Sequence, residues 1–250
     1  MPVLIIKKED QVKGSFNGGK IKENRPVMMN DGKSSGPYSN IFYWAHAWSD
    51  EGSILGEHPH EGFEIMSFVL NGEIEHYDTR NKEWRLLGKG DMQIIRAGNG
   101  ISHSENFRPG SEIFQIWVDP DLSKTLANPA SYNDYKSGSF PVITNDEMVI
   151  KNYKGENSPL SMDTLIESIK EITFRKENIT MELKEKDVYS VYLLEGKIEL
   201  NDDGMSKDDY ARIETEKSLK IKVLQENSKI FLIESPARPY YKTYYELFKQ

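Results

Sequence analysis

The sequence predicts an all-β protein in which one antiparallel sandwich or barrel is built twice. Three observations carry this expectation. From Phe63 to Val118 short apolar runs alternate with turn residues: Phe63 to Leu70, Glu73 to Tyr77, Trp84 to Leu87, Met92 to Arg96, Ile101 to Phe107 and Ile113 to Val118. Strands this short and evenly spaced, with no amphipathic helix between them, suit a closed or stacked antiparallel sheet. Second, Asn71-Gly72 is the dipeptide that most strongly marks a β-hairpin, so Glu73 to Tyr77 is expected to run back along the preceding strand. Third, Val191-Tyr192-Leu193-Leu194-Glu195-Gly196-Lys197-Ile198-Glu199-Leu200 aligns with Ser67-Phe68-Val69-Leu70-Asn71-Gly72-Glu73-Ile74-Glu75-His76. Two copies of one β unit is the economical explanation.

Residues 1 to about 40 read as an opening strand followed by loops, with turn signals at Asn17-Gly18-Gly19, Asn30-Asp31-Gly32 and Ser34-Ser35-Gly36-Pro37. Ile41 to Trp48 is an aromatic-rich strand. Asp119 to Ser161 breaks the rhythm with Pro120, Pro129, Pro141 and Pro159, and reads as a connector holding a helical turn at Asp121 to Ala127 and one strand at Met148 to Tyr153. Near-helical spacing of Tyr241, Tyr244, Tyr245, Leu247 and Phe248 predicts a short helix within Tyr240 to Gln250. The expected domains are 1–125, a connector at 126–160, and 161–250.

Composition bounds the class. Of the 250 residues 37% are hydrophobic and 11% aromatic, enough to build a core, while 29% are charged and keep the exterior solvated. There is no cysteine, which excludes disulfides and thiolate metal ligation and suits a reducing compartment. The apolar run Val3 to Ile6 is too short for a signal peptide, and no later run approaches the ~18 residues of a membrane helix, so a cytoplasmic protein without membrane contact is expected. A net charge of −8 repels polyanions and argues against direct nucleic-acid binding.

The chemistry-bearing residues are His58-Pro59-His60 and His103-Ser104-Glu105. Side chains two apart on a strand share a face, so each pair points its members the same way and the two pairs can converge on one point. Three imidazoles and a carboxylate suit Fe, Ni, Mn, Cu or Zn and disfavour Ca or Mg, which want oxygen shells. The same parity places Glu64 on the face of His58 and His60, where its carboxylate can orient an imidazole, a role favoured over direct ligation because a second carboxylate would neutralise the site. Carried through the repeat, His58 falls on Glu182, His60 on Lys184, His103 on Asn227 and Glu105 on Lys229. No histidine follows residue 103, so the second copy cannot hold this site.

Gly52, His58, His60, Glu64 and Gly72, followed by Gly90, Gly98 and His103, resemble the two motifs of the cupin superfamily of jelly-roll barrels. More narrowly, His58-Pro59-His60-Glu61-Gly62-Phe63-Glu64, Gly90-Asp91-Met92-Gln93, Ala97-Gly98-Asn99-Gly100-Ile101-Ser102-His103-Ser104-Glu105 and Gln115-Ile116-Trp117-Val118 resemble pirin, a two-cupin family. The chain departs from the usual pirin pattern at Glu61, where a basic residue is common, and at Ile94-Ile95-Arg96.

The resemblance implies two tandem cupins with one metal, Fe(II) favoured, held in the first by His58, His60, His103 and Glu105, and a degenerate second cupin. It implies a quercetin 2,3-dioxygenase-like oxidoreductase using a small aromatic substrate and O2, with Glu105 or Glu64 taking the substrate proton. Phe42, Trp44, His46, Phe68 and Phe114 are the pocket-lining candidates, and His76 is read as structural or pocket-lining. The alternative implied by the family is a non-catalytic, metal-dependent regulator that binds a partner protein.

Overall fold

The computed structural model describes residues 3–29 and 34–248. The turn expected at Asn30-Asp31-Gly32 and the end of the expected C-terminal helix at residues 249–250 lie outside them. The chain divides into two compact units. An N-terminal unit comprises Val12–Ser137, Ser161–Thr164 and Tyr240–Gln250. A C-terminal unit comprises Met1–Gln11, Gly138–Leu160 and Leu165–Pro239.

In chain order, β1 (Val3–Ile6) belongs to the C-terminal unit. The N-terminal unit then runs β2 (Val12–Phe16), β3 (Ile21–Val27), β4 (Ile41–Ser49), β5 (Ser53–His60), β6 (Glu64–Asn71) and β7 (Glu73–Asp78). It continues with β8 (Trp84–Gly88), β9 (Met92–Arg96), β10 (Ile101–Phe107), β11 (Ser111–Val118), α1 (Leu122–Thr125) and β12 (Ser131–Tyr135). The C-terminal unit resumes with β13 (Val142–Thr144), β14 (Met148–Lys154), β15 (Ser168–Phe174), β16 (Asn178–Glu182) and β17 (Asp187–Glu195). It ends with β18 (Lys197–Leu200), β19 (Asp203–Ser206), β20 (Tyr210–Glu214), β21 (Ser218–Val223) and β22 (Lys229–Pro236), and α2 (Tyr244–Phe248) follows.

Each unit pairs a seven-stranded with a four-stranded antiparallel sheet. The N-terminal orders are β12-β9-β6-β11-β4-β3-β2 and β5-β10-β7-β8, and the C-terminal orders are β1-β20-β17-β22-β15-β14-β13 and β16-β21-β18-β19. The two lists match strand for strand, which is the jelly-roll repeat expected from the sequence. The edge position filled by β12 in one unit is filled by β1 in the other.

Asn71-Gly72 does not close a hairpin. β6 pairs with β9 and β11, whereas β7 pairs with β10 and β8, so this turn carries the chain from one sheet to the other. Gly72 has φ +65°, and a Cβ there would lie 3.0 Å from Ser111 Cα, so the corner needs glycine for both conformation and space. The first forty residues contain two further strands, β2 and β3, and the proline-rich stretch contains β12 and β13 besides β14.

The cores differ. In the C-terminal unit one apolar cluster includes Leu183, Val191, Leu200, Leu219, Ile221 and Leu232. In the N-terminal unit the described core includes two separate apolar clusters. One is built around Val69, Ile74, Phe107 and Ile113, the other around Phe42, Phe63, Ile65 and Ile95. Buried polar residues, including Ser67, His76, Gln93, His103, Glu105 and Gln115, also belong to this unit. Burying so many polar groups is unfavourable unless they are partnered or used.

Candidate metal centre

β5 and β10 lie side by side with His58 opposite His103, and a register shift follows between His103 and Glu105. This pairing brings the two histidine-bearing motifs onto one wall of the barrel. His58, His60 and His103 offer ring nitrogens that all lie within 4.8 Å of one another. His60 Nε2 and His103 Nε2 are 3.1 Å apart. Glu105 is not part of that compact group of donors.

The surroundings set the protonation of the rings. His58 Nδ1 lies 2.8 Å from the Gly56 carbonyl oxygen, to which only an N–H can donate. Its Nε2 is thereby left with a lone pair. His103 Nδ1 lies 3.3 Å from His76 Nε2. A proton donated from His103 to His76 frees His103 Nε2 and leaves the proton of His76 on Nδ1, a buried atom without a hydrogen-bond partner. Burial is the main cause that lowers His60 to about 4, with His58 adding to it. Burial likewise lowers His76 to about 4 and holds His103 well below the ordinary histidine range. Converging imidazoles, two of which have a partner on their second nitrogen, fit a soft or borderline divalent cation.

Glu105 is fully buried, and burial pushes its carboxyl up to about 7 against the opposing hydrogen bonds from Gln115 and Ser67. Gln115 Nε2 donates to both carboxylate oxygens, at 3.0 and 2.8 Å. Ser67 Oγ lies 3.5 Å from Oε1. The signal for these two partners was a single polar residue inside each of two apolar strands.

Glu64 does not orient an imidazole. Its two oxygens accept the backbone N–H groups of Asp163 and Thr164 at 2.9 and 2.8 Å and the Thr164 hydroxyl at 2.5 Å, with Arg96 Nε 3.6 Å away. Parity misled here because Glu61 to Phe63 separates β5 from β6, and β6 belongs to the other sheet. Arg96 also bonds Asn133 at 2.9 Å and the Ser161 carbonyl, so Glu64 and Arg96 together pin the segment 161–164.

A cavity of about 560 Å3 opens beside His60, lined also by Glu61, Thr79, Asn99, Ile101 and Ser102. None of Phe42, Trp44, His46, Phe68 and Phe114 lines it. Phe114 pairs across the sheet with His46 and Phe68, one residue out of phase with Gln115, which faces Glu105. Strand alternation therefore turns this row to the opposite face of the sheet. Trp44 packs edge-on against Phe114 at 5.4 Å, and Phe42 packs against Phe63 and stacks on Tyr244. His46 also meets Glu112 at 3.4 Å.

The register explains the absence of a second site. Leu200 stands where His76 stands, and pairs with Ile221 as His76 pairs with Glu105. Two residues earlier on β21 is Leu219, the counterpart of His103, which pairs with Met181 as His103 pairs with His58. Leu183 follows as the counterpart of His60. The direct sequence offset pointed instead to Glu182, Lys184, Asn227 and Lys229; the bulge at His103/Glu105 and a shorter second copy shift the true partners. Met181, Leu183, Leu219 and Ile221 all pack in the C-terminal apolar core.

Residues 24–118 match the Pirin family model. The chain is 34% identical over 93 residues to a pirin-like protein of Caulobacter vibrioides, covering 36% of this chain and 33% of that protein. It is 42% identical over 77 residues to the quercetin 2,3-dioxygenase of Escherichia coli K12, covering 29% of this chain and 32% of that protein. These curated relatives are thus matched over about a third of their length. In fold, the chain is similar to the bacterial pirin YhhW of Escherichia coli in complex with nickel(II), with TM-score 0.73, 19% identity, and 94% of this chain and 99% of that chain covered. No helix among the described residues is long and apolar enough to cross a membrane. The family match spans the strands that gather the imidazoles, so the chain carries a pirin-like segment over residues 24–118, and the likeness in fold to a bacterial pirin runs through nearly the whole chain.

Proposed function

We propose that the N-terminal unit is a mononuclear metal centre that oxidises a small aromatic, flavonol-type substrate with O2. The observation that carries this is the convergence of three imidazoles beside a cavity large enough for such a ligand. His58, His60 and His103 would hold the metal, with Glu105 as the anionic fourth arm. A divalent ion of the Fe, Ni, Mn, Cu or Zn class, with Fe(II) favoured, would supply Lewis acidity toward a chelating hydroxyl and redox contact with O2. Support comes from the nickel(II) complex of the Escherichia coli pirin and from the quercetin 2,3-dioxygenase name of the Escherichia coli relative.

The remaining roles belong to the protein. Thr79, Asn99 and Ser102 give the cavity polar groups to orient a substrate, while Ile101 and Pro59 give it an apolar wall. Glu105 would be the acceptor for the substrate hydroxyl proton when it loosens from the metal, since it is the buried carboxylate nearest the histidine cluster on β10. A cytoplasmic location fits the absence of cysteine.

The test is anaerobic loading with Fe(II) or Ni(II), metal analysis, and oxygen uptake with a panel of flavonols. We expect about one metal ion per chain, flavonol-dependent oxygen consumption, and loss of both in His58→Ala and His103→Ala. Stoichiometric metal without flavonol-dependent uptake would overturn the oxygenase reading and favour the regulator that binds a partner protein. Failure to bind metal would overturn both.

A further inference from the structure

We infer that Gln115 and Trp117 are positioning residues that aim the Glu105 carboxylate, with the Trp117 indole N–H fixing which way the Gln115 amide points. The inference rests on the metal-centre reading above and concerns how that centre is held.

Gln115 and Trp117 sit two apart on β11 and share the inner face of the sheet. Gln115 Nε2 reaches both oxygens of Glu105, so a single amide group spans the carboxylate. An amide has two faces, one donating and one accepting, and a flipped Gln115 would set its oxygen against a carboxylate. Trp117 resolves the choice. Its Nε1–H lies 3.2 Å from Gln115 Oε1, and an indole nitrogen can only donate. Flipping the amide would therefore create two repulsive contacts at once, donor against donor and acceptor against acceptor.

The indole is itself held firmly. It stacks on Tyr43 with centroids 4.3 Å apart and on Phe63 at 5.1 Å, and the His60 ring meets it edge-on at 5.2 Å. One rigid aromatic group thus touches a metal-site imidazole directly and the Glu105 arm through a single amide. Such outer contacts govern how ready a ligand is to bind.

The other barrel shows that this polar set is not needed to fold the sheet. Gln115 pairs with Ser67, and the equivalent pair on β22 and β17 is Leu232 and Val191. Ile221 replaces Glu105 there. The amide, the hydroxyl and the carboxylate are present together in one barrel and absent together from the other, as expected if the first two serve the third.

The test is Co(II) binding to the full chain, followed by calorimetry and by the visible d–d absorption, which reports ligand number and geometry. Gln115→Met keeps length and bulk but removes both donors, Gln115→Asn keeps the amide but withdraws it, and Trp117→Phe keeps a ring but removes the N–H. We expect each to weaken Co(II) binding by about tenfold or more, with a changed d–d band and with Trp117→Phe least affected. Melting of the metal-free variants reports folding separately. A readout without substitution is the 15N signal of the Trp117 indole and the Gln115 amide, which should shift when Zn(II) is added to the unaltered chain. Unchanged affinity and spectrum in the folded variants, or unmoved signals, would overturn the inference while leaving the metal centre standing. Failure of the unaltered chain to bind Co(II) would remove both.

Discussion

His60 Nε2 and His103 Nε2 face each other across 3.1 Å. At that distance only one of the two can carry a proton, and burial holds both rings below the ordinary histidine range. A cation entering between them therefore displaces little imidazole protonation at neutral pH. On the proposed centre, the proton to be expelled is that of Glu105, whose carboxyl burial raises to about 7. Because this pKa lies above the carboxylate's ordinary value, the acid form predominates below about 7 in the metal-free fold, and the anion a metal needs is formed at the cost of proton release. Calorimetry of Zn(II) binding at pH 6, in buffers of different ionisation heat, should show the unaltered chain releasing up to about one proton more than Glu105→Gln. Equal release would show that Glu105 does not ionise on binding.

His76 is a compromise between stability and ligation. Its Nε2 lies 3.3 Å from His103 Nδ1, where one of the two rings donates to the other, while its Nδ1 is buried without a hydrogen-bond partner. The corresponding residue of the other barrel is Leu200, packed in an apolar core. His76→Leu should stabilise the metal-free protein by about 1 kcal/mol, because an apolar side chain replaces a buried ring with an unpartnered nitrogen, a gain larger than the loss of its long 3.3 Å contact with His103. It should also weaken metal binding by about tenfold, because the His103 tautomer is no longer enforced. Melting temperature and metal affinity should therefore move in opposite senses.

Glu64 should matter to stability and not to metal. Its carboxylate is almost fully buried, accepts from the backbone at Asp163 and Thr164, and faces Arg96. Glu64→Ala strands those donors and should cost about 3 kcal/mol, as for other buried pairs broken on one side. Thr164→Val removes only the hydroxyl and should cost about 1 kcal/mol. In both, the metal content of folded protein should match that of the unaltered chain. A selective loss of metal from folded Glu64→Ala would restore Glu64 to the centre.

The contrast between Glu64 and Glu105 shows what can be read along a strand and what cannot. His58, His60, His103 and Glu105 were legible because i and i+2 on one strand share a face, a rule that needs no partner. Glu64 was misread because three residues break the strand before it, and its partners lie about a hundred residues later, beyond any local pattern. The aromatic row failed for another reason. β11 is buried on both faces, so Phe114 and Gln115 are both inaccessible and hydrophobicity gives no phase. β2 and β3 carry no clear strand signal because Val12–Phe16 and Ile21–Val27 mix charged residues, glycine and proline; β2 is a sheet edge, and Pro26 of β3 falls in the register shift between Asn24 and Val27, both places where such residues are tolerated. Asn71-Gly72 supplied the expected turn, but a turn does not say whether the strands it joins will pair.

Glu61 supplies the last prediction, which concerns substrate charge. It is exposed, and among the described residues lining the cavity beside His60 it is the only one with a carboxylate, and none is a lysine or arginine. A lone carboxylate at a mouth repels anionic ligands and is indifferent to neutral ones, an effect that weakens as salt rises. On the proposed oxygenase, Glu61→Arg should improve kcat/KM for carboxylate-bearing aromatic chelators by roughly tenfold at low ionic strength, and leave neutral flavonols within about twofold. The gain should shrink at high salt. Because Glu61 is exposed, melting temperature and metal content should stay unchanged, which separates a charge effect at the entrance from damage to the centre. An equal change for neutral and anionic substrates would place the control of selectivity deeper in the cavity, at Thr79, Asn99 or Ser102.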